Sequence, residues 1–222
     1  QEGLIWKQLD HRNIVEFIGV SDTNRLGIHT YRDRPCLCLV SQWMHGGNMV
    51  DHLRENPEED RLRLLVDVGM GLNYLHSLSI AHGDLKGVNV LIDQRGCAML
   101  ADFGLTRTAY DANLNIVSHV LSSSEMAGTW KWMAPEILWP TDHGCQRSAY
   151  TIQSDIYALG MVMYEVFSGR VPFEGLRDTA AILKVYKRER PSRPDDETAV
   201  ALTDYLWAVV ERCWHQDRER RP

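Results

Sequence analysis

Two aspartates, a lysine and an asparagine stand at short, fixed spacings in His82-Gly83-Asp84-Leu85-Lys86-Gly87-Val88-Asn89 and, shortly after, Ala101-Asp102-Phe103-Gly104. These groups suit phosphoryl transfer from a metal-bound nucleotide, which needs positioning and charge neutralisation more than covalent help from a protein. Asp84 can orient an alcohol and accept its proton. Lys86, two residues on, reaches the same side of an extended loop and offsets charge on the group in transit. Asn89 offers a neutral oxygen ligand and Asp102 an anionic one, hard donors that suit magnesium also held by nucleotide phosphates. Gly104 lets the backbone turn sharply behind that carboxylate. His82, by contrast, reads as a structural histidine packed in the core.

Elements able to hold this loop can be read on either side of it. Residues 61–78 carry leucines and valines at helical intervals, despite Gly69 and Gly71, and deliver the chain to residue 82. Upstream, residues 3–9 have helical spacing through Ile5, Trp6 and Leu9, and residues 14–20 and 36–40 read as strands. The polar stretch 21–35 joins those strands as a loop. Gly46-Gly47 breaks the pattern before a short helix over 48–55, which Asn56-Pro57 ends. Residues 106–127 are polar and serine-rich, as in a mobile functional loop. Helices then dominate at 154–168, 179–188 and 202–213, with Ser154 as amino-terminal cap of the first and the stripe from Met161 to Phe167 as core. The class is α+β.

Composition narrows the setting. In 222 residues, 44% of them apolar, there is enough for a sizeable core, and a formal charge of -6 argues against nucleic acid or an anionic membrane as main partner. Five cysteines, at 36, 38, 97, 145 and 213, show no metal-like pairing and point to a reducing, cytoplasmic setting. No apolar run approaches the roughly 20 residues that span a bilayer, and the first residues show no signal-peptide pattern. No membrane contact is therefore expected from this segment, and neither an internal repeat nor a low-complexity tract occurs.

The chemistry-bearing residues resemble the protein kinase family, whose catalytic loop reads His-Arg-Asp-Leu-Lys-x-x-Asn and whose metal loop reads Asp-Phe-Gly. Gly128-Thr129, Lys131-Trp132-Met133 and Ala134-Pro135-Glu136 look like the end of a kinase activation segment. Ser154-Asp155-Ile156-Tyr157-Ala158-Leu159-Gly160 is similar to the start of the family's central helix, where an aspartate holds the catalytic loop by its backbone. Cys213-Trp214, Asp217 and Arg221-Pro222 match the closing motif, making Arg221 the expected ion-pair partner of Glu136. The resemblance implies a kinase-like fold: a small-lobe remnant over 1–41, a hinge at 42–47, and a large lobe over 48–222. Within that lobe lie a catalytic loop at 82–89 and an activation segment at 102–136.

By the same resemblance, ATP and Mg2+ are the cofactors, with Asp84, Lys86, Asn89, Asp102 and Thr129 catalytic and Asn89 and Asp102 holding the metal. Ser41 takes the gatekeeper position. Backbone groups of Gln42 and Met44 meet adenine, Leu91 forms the floor beneath it, and Asn48 approaches the ribose. Aligning Leu9, His11 and Asn13 puts Glu2 where the family has the glutamate that pairs with a strand lysine. That lysine and the glycine-rich loop are not in these residues, and Pro222 falls where the last large-lobe helix would begin, so the resemblance implies a segment truncated at both ends and inactive in isolation. Gly83 replaces the arginine that pairs with a phosphorylated activation segment, so phosphorylation at Thr106, Ser122, Ser123 or Ser124 is not expected to switch activity through this loop.

Lys86 and Gly128-Thr129 resemble serine/threonine kinases, in which the threonine hydroxyl can bridge Asp84 and Lys86. The run Lys131 to Glu136 is the tyrosine-kinase form; the mixture looks like the tyrosine-kinase-like group, acting on serine and threonine of proteins, with tyrosine still open. Two other readings stay open: a pseudokinase acting as a binding module, and a kinase for small molecules. Peptide substrate, pathway and oligomeric state are not legible here.

Overall fold

The computed structural model describes residues 2–23, 36–102, 107–108, 129–146, 150–195, 199 and 201–222. Its first helix, α1 (Glu2–Trp6), is short, and Trp6 anchors it by donating its indole N–H to the Val15 carbonyl at 2.6 Å. Strands β1 (Phe17–Asp22) and β2 (Leu37–Ser41) form an antiparallel pair with an irregularity between Phe17 and Gly19. Residues 14–16, expected in the first strand, instead run beside β5 (Ala98–Leu100): Val15 N–H donates to the Leu100 carbonyl at 2.9 Å and Leu100 N–H to the Asn13 carbonyl at 2.8 Å. Ser21 and Asp22, expected in the loop, continue β1, and residues 24–35 lie outside the described residues.

Helix α2 (Met49–Glu55) is capped by Asn48, and α3 (Arg61–Ser77) by Asp60, whose side chains each accept a backbone N–H three residues on. Past α3 the chain makes three short elements: β3 (Ile80–Ala81), a 3-10 turn Gly87–Asn89, and β4 (Val90–Ile92), which pairs antiparallel with β5. β3 pairs with β6 (Arg107–Thr108), the one stretch of the expected polar loop 106–127 that falls within the described residues. A 3-10 turn Thr129–Trp132 and a single helical turn α4 (Pro135–Leu138) follow.

Helix α5 (Ile152–Ser168) is the axis of the core, burying Tyr157, Met161, Val162, Val166 and Phe167 beside Leu64, Val68, Leu72 and Leu75 of α3. The methionine and aromatic stripe is core, as its spacing suggests. Ser154 is not the cap of this helix: Thr151 caps it, accepting the Ser154 N–H, while the Ser154 hydroxyl oxygen accepts the Thr151 N–H in return. Two exchanged hydrogen bonds outcompete a single cap further along the chain. Helix α6 (Asp178–Tyr186) stops short of residue 188 because Arg188 turns left-handed, φ 65°, and Glu189 N–H returns to the Lys184 carbonyl. Helix α7 (Asp204–Cys213) begins after its cap Thr203. Among the described residues no helix is long and apolar enough to cross a membrane.

The carboxy-terminal residues close the core through a buried ion pair. Arg221 grips Glu136 through two parallel bonds of 2.6 and 2.8 Å, donates also to the carbonyls of Gln153 and His215, and lies 5.1 Å from the Tyr157 ring. Both side chains are almost wholly buried. Replacing Arg221 by methionine leaves the Glu136 carboxylate buried and unpaired, so urea unfolding should show a loss of about 3–5 kcal/mol.

Candidate active site

The loop from His82 to Asn89 has little regular structure of its own, and a carboxylate on the central helix holds it. Asp155, in the first turn of α5 and 1% exposed, accepts the N–H of His82 at 2.8 Å and of Gly83 at 3.0 Å, while His76 Nε2 donates to it at 2.9 Å. The His82 donor would otherwise be buried without this partner, and the Gly83 donor partly so. His82 is fully buried, and burial holds its ring below the usual histidine range. Its Nδ1 accepts the Asp84 N–H and its Nε2 donates to the Ala101 carbonyl at 3.1 Å, so a neutral ring joins the loop to the segment carrying Asp102. Gly83 has φ 81°, a left-handed backbone that a side chain would strain.

Four of the expected residues meet in one network. Asp84 Oδ2 accepts from Lys86 Nζ and from Asn89 Nδ2, both at 2.9 Å, and the same amide donates to the Asp84 carbonyl at 2.8 Å. Lys86 Nζ also donates to Thr129 Oγ1 at 3.0 Å. In this arrangement the bridge is the lysine, whose ammonium donates to both Asp84 Oδ2 and Thr129 Oγ1. Asp84 Oδ1 is buried and has no hydrogen-bond partner among the described residues. Burial pushes the Asp84 carboxyl above its ordinary range, against the opposing pull of Lys86.

Asp102 joins through the backbone: Ala101 N–H donates to the Asn89 carbonyl at 3.0 Å, setting the next residue beside the network, and Asp102 itself is exposed with φ 59°. Phe103 and Gly104 lie outside the described residues, as do Gly128, Thr106 and Ser122 to Ser124. The remaining expected positions lie along one run of chain. Ser41 ends β2, Gln42 is exposed, and Met44 is buried with its carbonyl accepting the Gly47 N–H. Asn48 is occupied in capping α2 and forms an isolated backbone bridge with Leu91, half-buried in β4. Gly46 and Gly47 exchange backbone bonds with Ile92, which fastens this run to β4. Glu2 opens α1.

Sequence reasoning missed His76 and Glu165. Glu165 lies on the last turns of α5, where its Oε2 accepts the Gly87 N–H at 3.0 Å and the Trp132 indole N–H at 3.2 Å. Burial outweighs those bonds and the nearby Lys86 charge, and the carboxyl is pushed up to about 7. A lone acid inside the apolar run Met161 to Phe167 was the available signal.

A family model described as protein tyrosine and serine/threonine kinase matches residues 1–222. The serine/threonine-protein kinase STY17 of Arabidopsis thaliana is 32% identical over 227 residues, covering 100% of this chain and 35% of that protein. The serine/threonine/tyrosine-protein kinase HT1 of the same plant is 29% identical, covering 100% and 50%. The serine/threonine-protein kinase BCK1/SLK1/SSP31 of Saccharomyces cerevisiae is 32% identical, covering 97% and 13%. The chain thus spans half or less of the length of these relatives.

The Glu165 environment has a consequence for stability. Its folded value of about 7 exceeds the ordinary 4.5, so the folded state holds the proton more tightly and stability falls as pH rises from about 4.5 to about 7. Denaturation at a series of pH values should show this decline, on the order of 3 kcal/mol, and Glu165→Gln should remove it.

Proposed function

This chain belongs to the protein tyrosine and serine/threonine kinase family, and from that premise we propose that the protein carrying it transfers the γ-phosphoryl group of ATP to serine and threonine hydroxyls of proteins. The observation that carries the reading is Asp84, a largely buried carboxylate with one oxygen held by Lys86 and Asn89 and the other without a hydrogen-bond partner among the described residues. Oδ1 is the place for a substrate hydroxyl, whose proton the burial-raised carboxyl is suited to accept. Lys86, held between Asp84 and Thr129, offsets charge that develops on the transferred group, and Thr129 fixes the lysine in that pose. The link between Lys86 and Thr129, together with relatives named as serine/threonine kinases, favours those hydroxyls over tyrosine.

The donor chemistry fits a magnesium ion brought in with the nucleotide. Asn89 and Asp102 would begin the shell of such an ion, and phosphate oxygens of the nucleotide would complete it. The Asn89 amide nitrogen is tied to Asp84, which leaves its carbonyl oxygen as the donor to a cation. When bound, the ATP–magnesium pair supplies the phosphoryl group and neutralises charge on it.

In this reading residues 1–41 belong to a small lobe, 42–47 to the hinge and 48–222 to a large lobe. Backbone groups of Gln42 and Met44 meet adenine beyond the gatekeeper Ser41, with Leu91 beneath the base. Asn48, although engaged as a helix cap, stands beside Leu91 at the ribose end of the site. Glu2 is assigned to the strand lysine of the small lobe.

Asp84→Asn in the full-length protein should lower kcat by about 10²- to 10⁴-fold while nucleotide affinity, read by equilibrium binding, stays unchanged. Transfer that survives this change would remove Asp84 from the role of proton acceptor. Gly83 offers no guanidinium to a phosphorylated loop, so alanine at Thr106, Ser122, Ser123 and Ser124 should keep transfer within about twofold. Abolition by alanine with rescue by acidic residues would contradict that.

A further inference from the structure

Glu165 has no part in the chemistry assigned above, yet it bonds to the two segments that the Lys86 bridge joins. Gly87, whose N–H it accepts, directly follows Lys86; Trp132, whose indole N–H it accepts, closes the 3-10 turn that Thr129 opens. One carboxylate oxygen therefore ties the backbone behind the lysine to the turn that presents its hydroxyl partner. The fit is close: a Cβ at Gly87 would stand 2.7 Å from that oxygen and 2.6 Å from Val50 Cγ2, so a larger residue there would force the loop and α5 apart.

A second feature shows how this contact can change. Glu165 lines a cavity of about 110 Å³ with Met49 and Leu53 as apolar walls and Arg54 and Arg61 among its polar lining. A cavity of that size has room for two or three waters, a path by which a proton can reach a buried acid. The charged groups around Glu165 are Lys86 from the catalytic loop, itself paired with Asp84, Arg54 from α2 and Arg61 from α3. Lys86 favours the carboxylate and burial, the larger influence, disfavours it, while Arg54 and Arg61 line the same cavity.

We propose that Glu165 is a positioning residue: as a carboxylate it holds Lys86 and Thr129 at the spacing that transfer requires, and taking up a proton loosens that hold. The inference rests on the kinase reading above. Hydrogen bonds to an ionised acceptor are roughly twice as strong as those to a neutral one, so protonation weakens both bonds together. Burial puts the change near pH 7. Transfer should be full above that point and fall below it.

Asp84 is also raised by burial and would contribute a pH dependence of the same sign, so the test must separate the two. Trp132→Phe removes a donor that favours the Glu165 anion and should move the limb of the pH–kcat profile to higher pH. Glu165→Gln should abolish that limb and lower kcat by about tenfold at the alkaline end, with KM for ATP unchanged. Independently of activity, the Trp132 indole N–H resonance, assigned by its loss in Trp132→Phe, should titrate near neutrality in the full-length protein and stay fixed in Glu165→Gln. An indole signal that does not move between about pH 5 and about pH 9 would overturn the proposal, as would a limb that Trp132→Phe leaves in place. If the indole titrates in a protein that transfers no phosphoryl group, the clamp stands and the kinase reading falls.

Discussion

The site depends on the Asp155 carboxylate and the two backbone N–H groups it accepts from His82 and Gly83. A loop with few backbone partners of its own takes its path from such side-chain acceptors, and the central helix provides this one at a fixed point. Hydrogen bonds to a charged acceptor contribute about 1.5–3 kcal/mol each, and losing them would strand buried donors. From that attachment the rest follows in space. His82 reaches Ala101, Asp84 turns toward Lys86 and Asn89, and Lys86 extends to Thr129.

Helix α5 therefore has two roles that pull in opposite directions. As the core axis it must be apolar, and Tyr157, Met161, Val162 and Phe167 are almost wholly removed from water. As the mount for the site it carries buried acids at both ends, Asp155 near its start and Glu165 near its finish, while Glu136 pairs with Arg221 beside its first turn. Burying an acid is costly unless donors or cations meet it. Asp155 has three donors and Glu136 a two-pronged guanidinium, whereas Glu165 has two donors on one oxygen and a cavity beside it. Burial outweighs those two bonds, and the Glu165 carboxyl is raised to about 7.

Local rules served best where chemistry is local. The helix at 48–55 was legible from the Gly-Gly and Asn-Pro breaks that bound it, the helix at 61–78 from its apolar spacing, and Asp84, Lys86 and Asn89 because six residues span all three. The misreadings arose where a distant partner decided. Residues 14–16 have strand-like composition but leave β1 to bond with β5, and Ser154 looks like a cap until Thr151 exchanges hydrogen bonds with it. The lysine became the bridge to Thr129 only when a segment 43 residues away was brought within reach.

Sequence alone determined the inventory of this protein: the acids, lysine and amide that could do phosphoryl transfer, the glycine at position 83 in place of an arginine, and the order of motifs that resembles a kinase. These depend on residue type and short spacing, which folding does not alter. Tertiary structure decided which acids are buried, which donors meet them and which oxygen of Asp84 has no partner among the described residues. Those properties depend on solvent exclusion and on contacts between residues far apart in the chain, such as Gly87 and Trp132 meeting at Glu165. No local pattern encodes them, because the donor that sets each acid's charge arrives from another element of the fold.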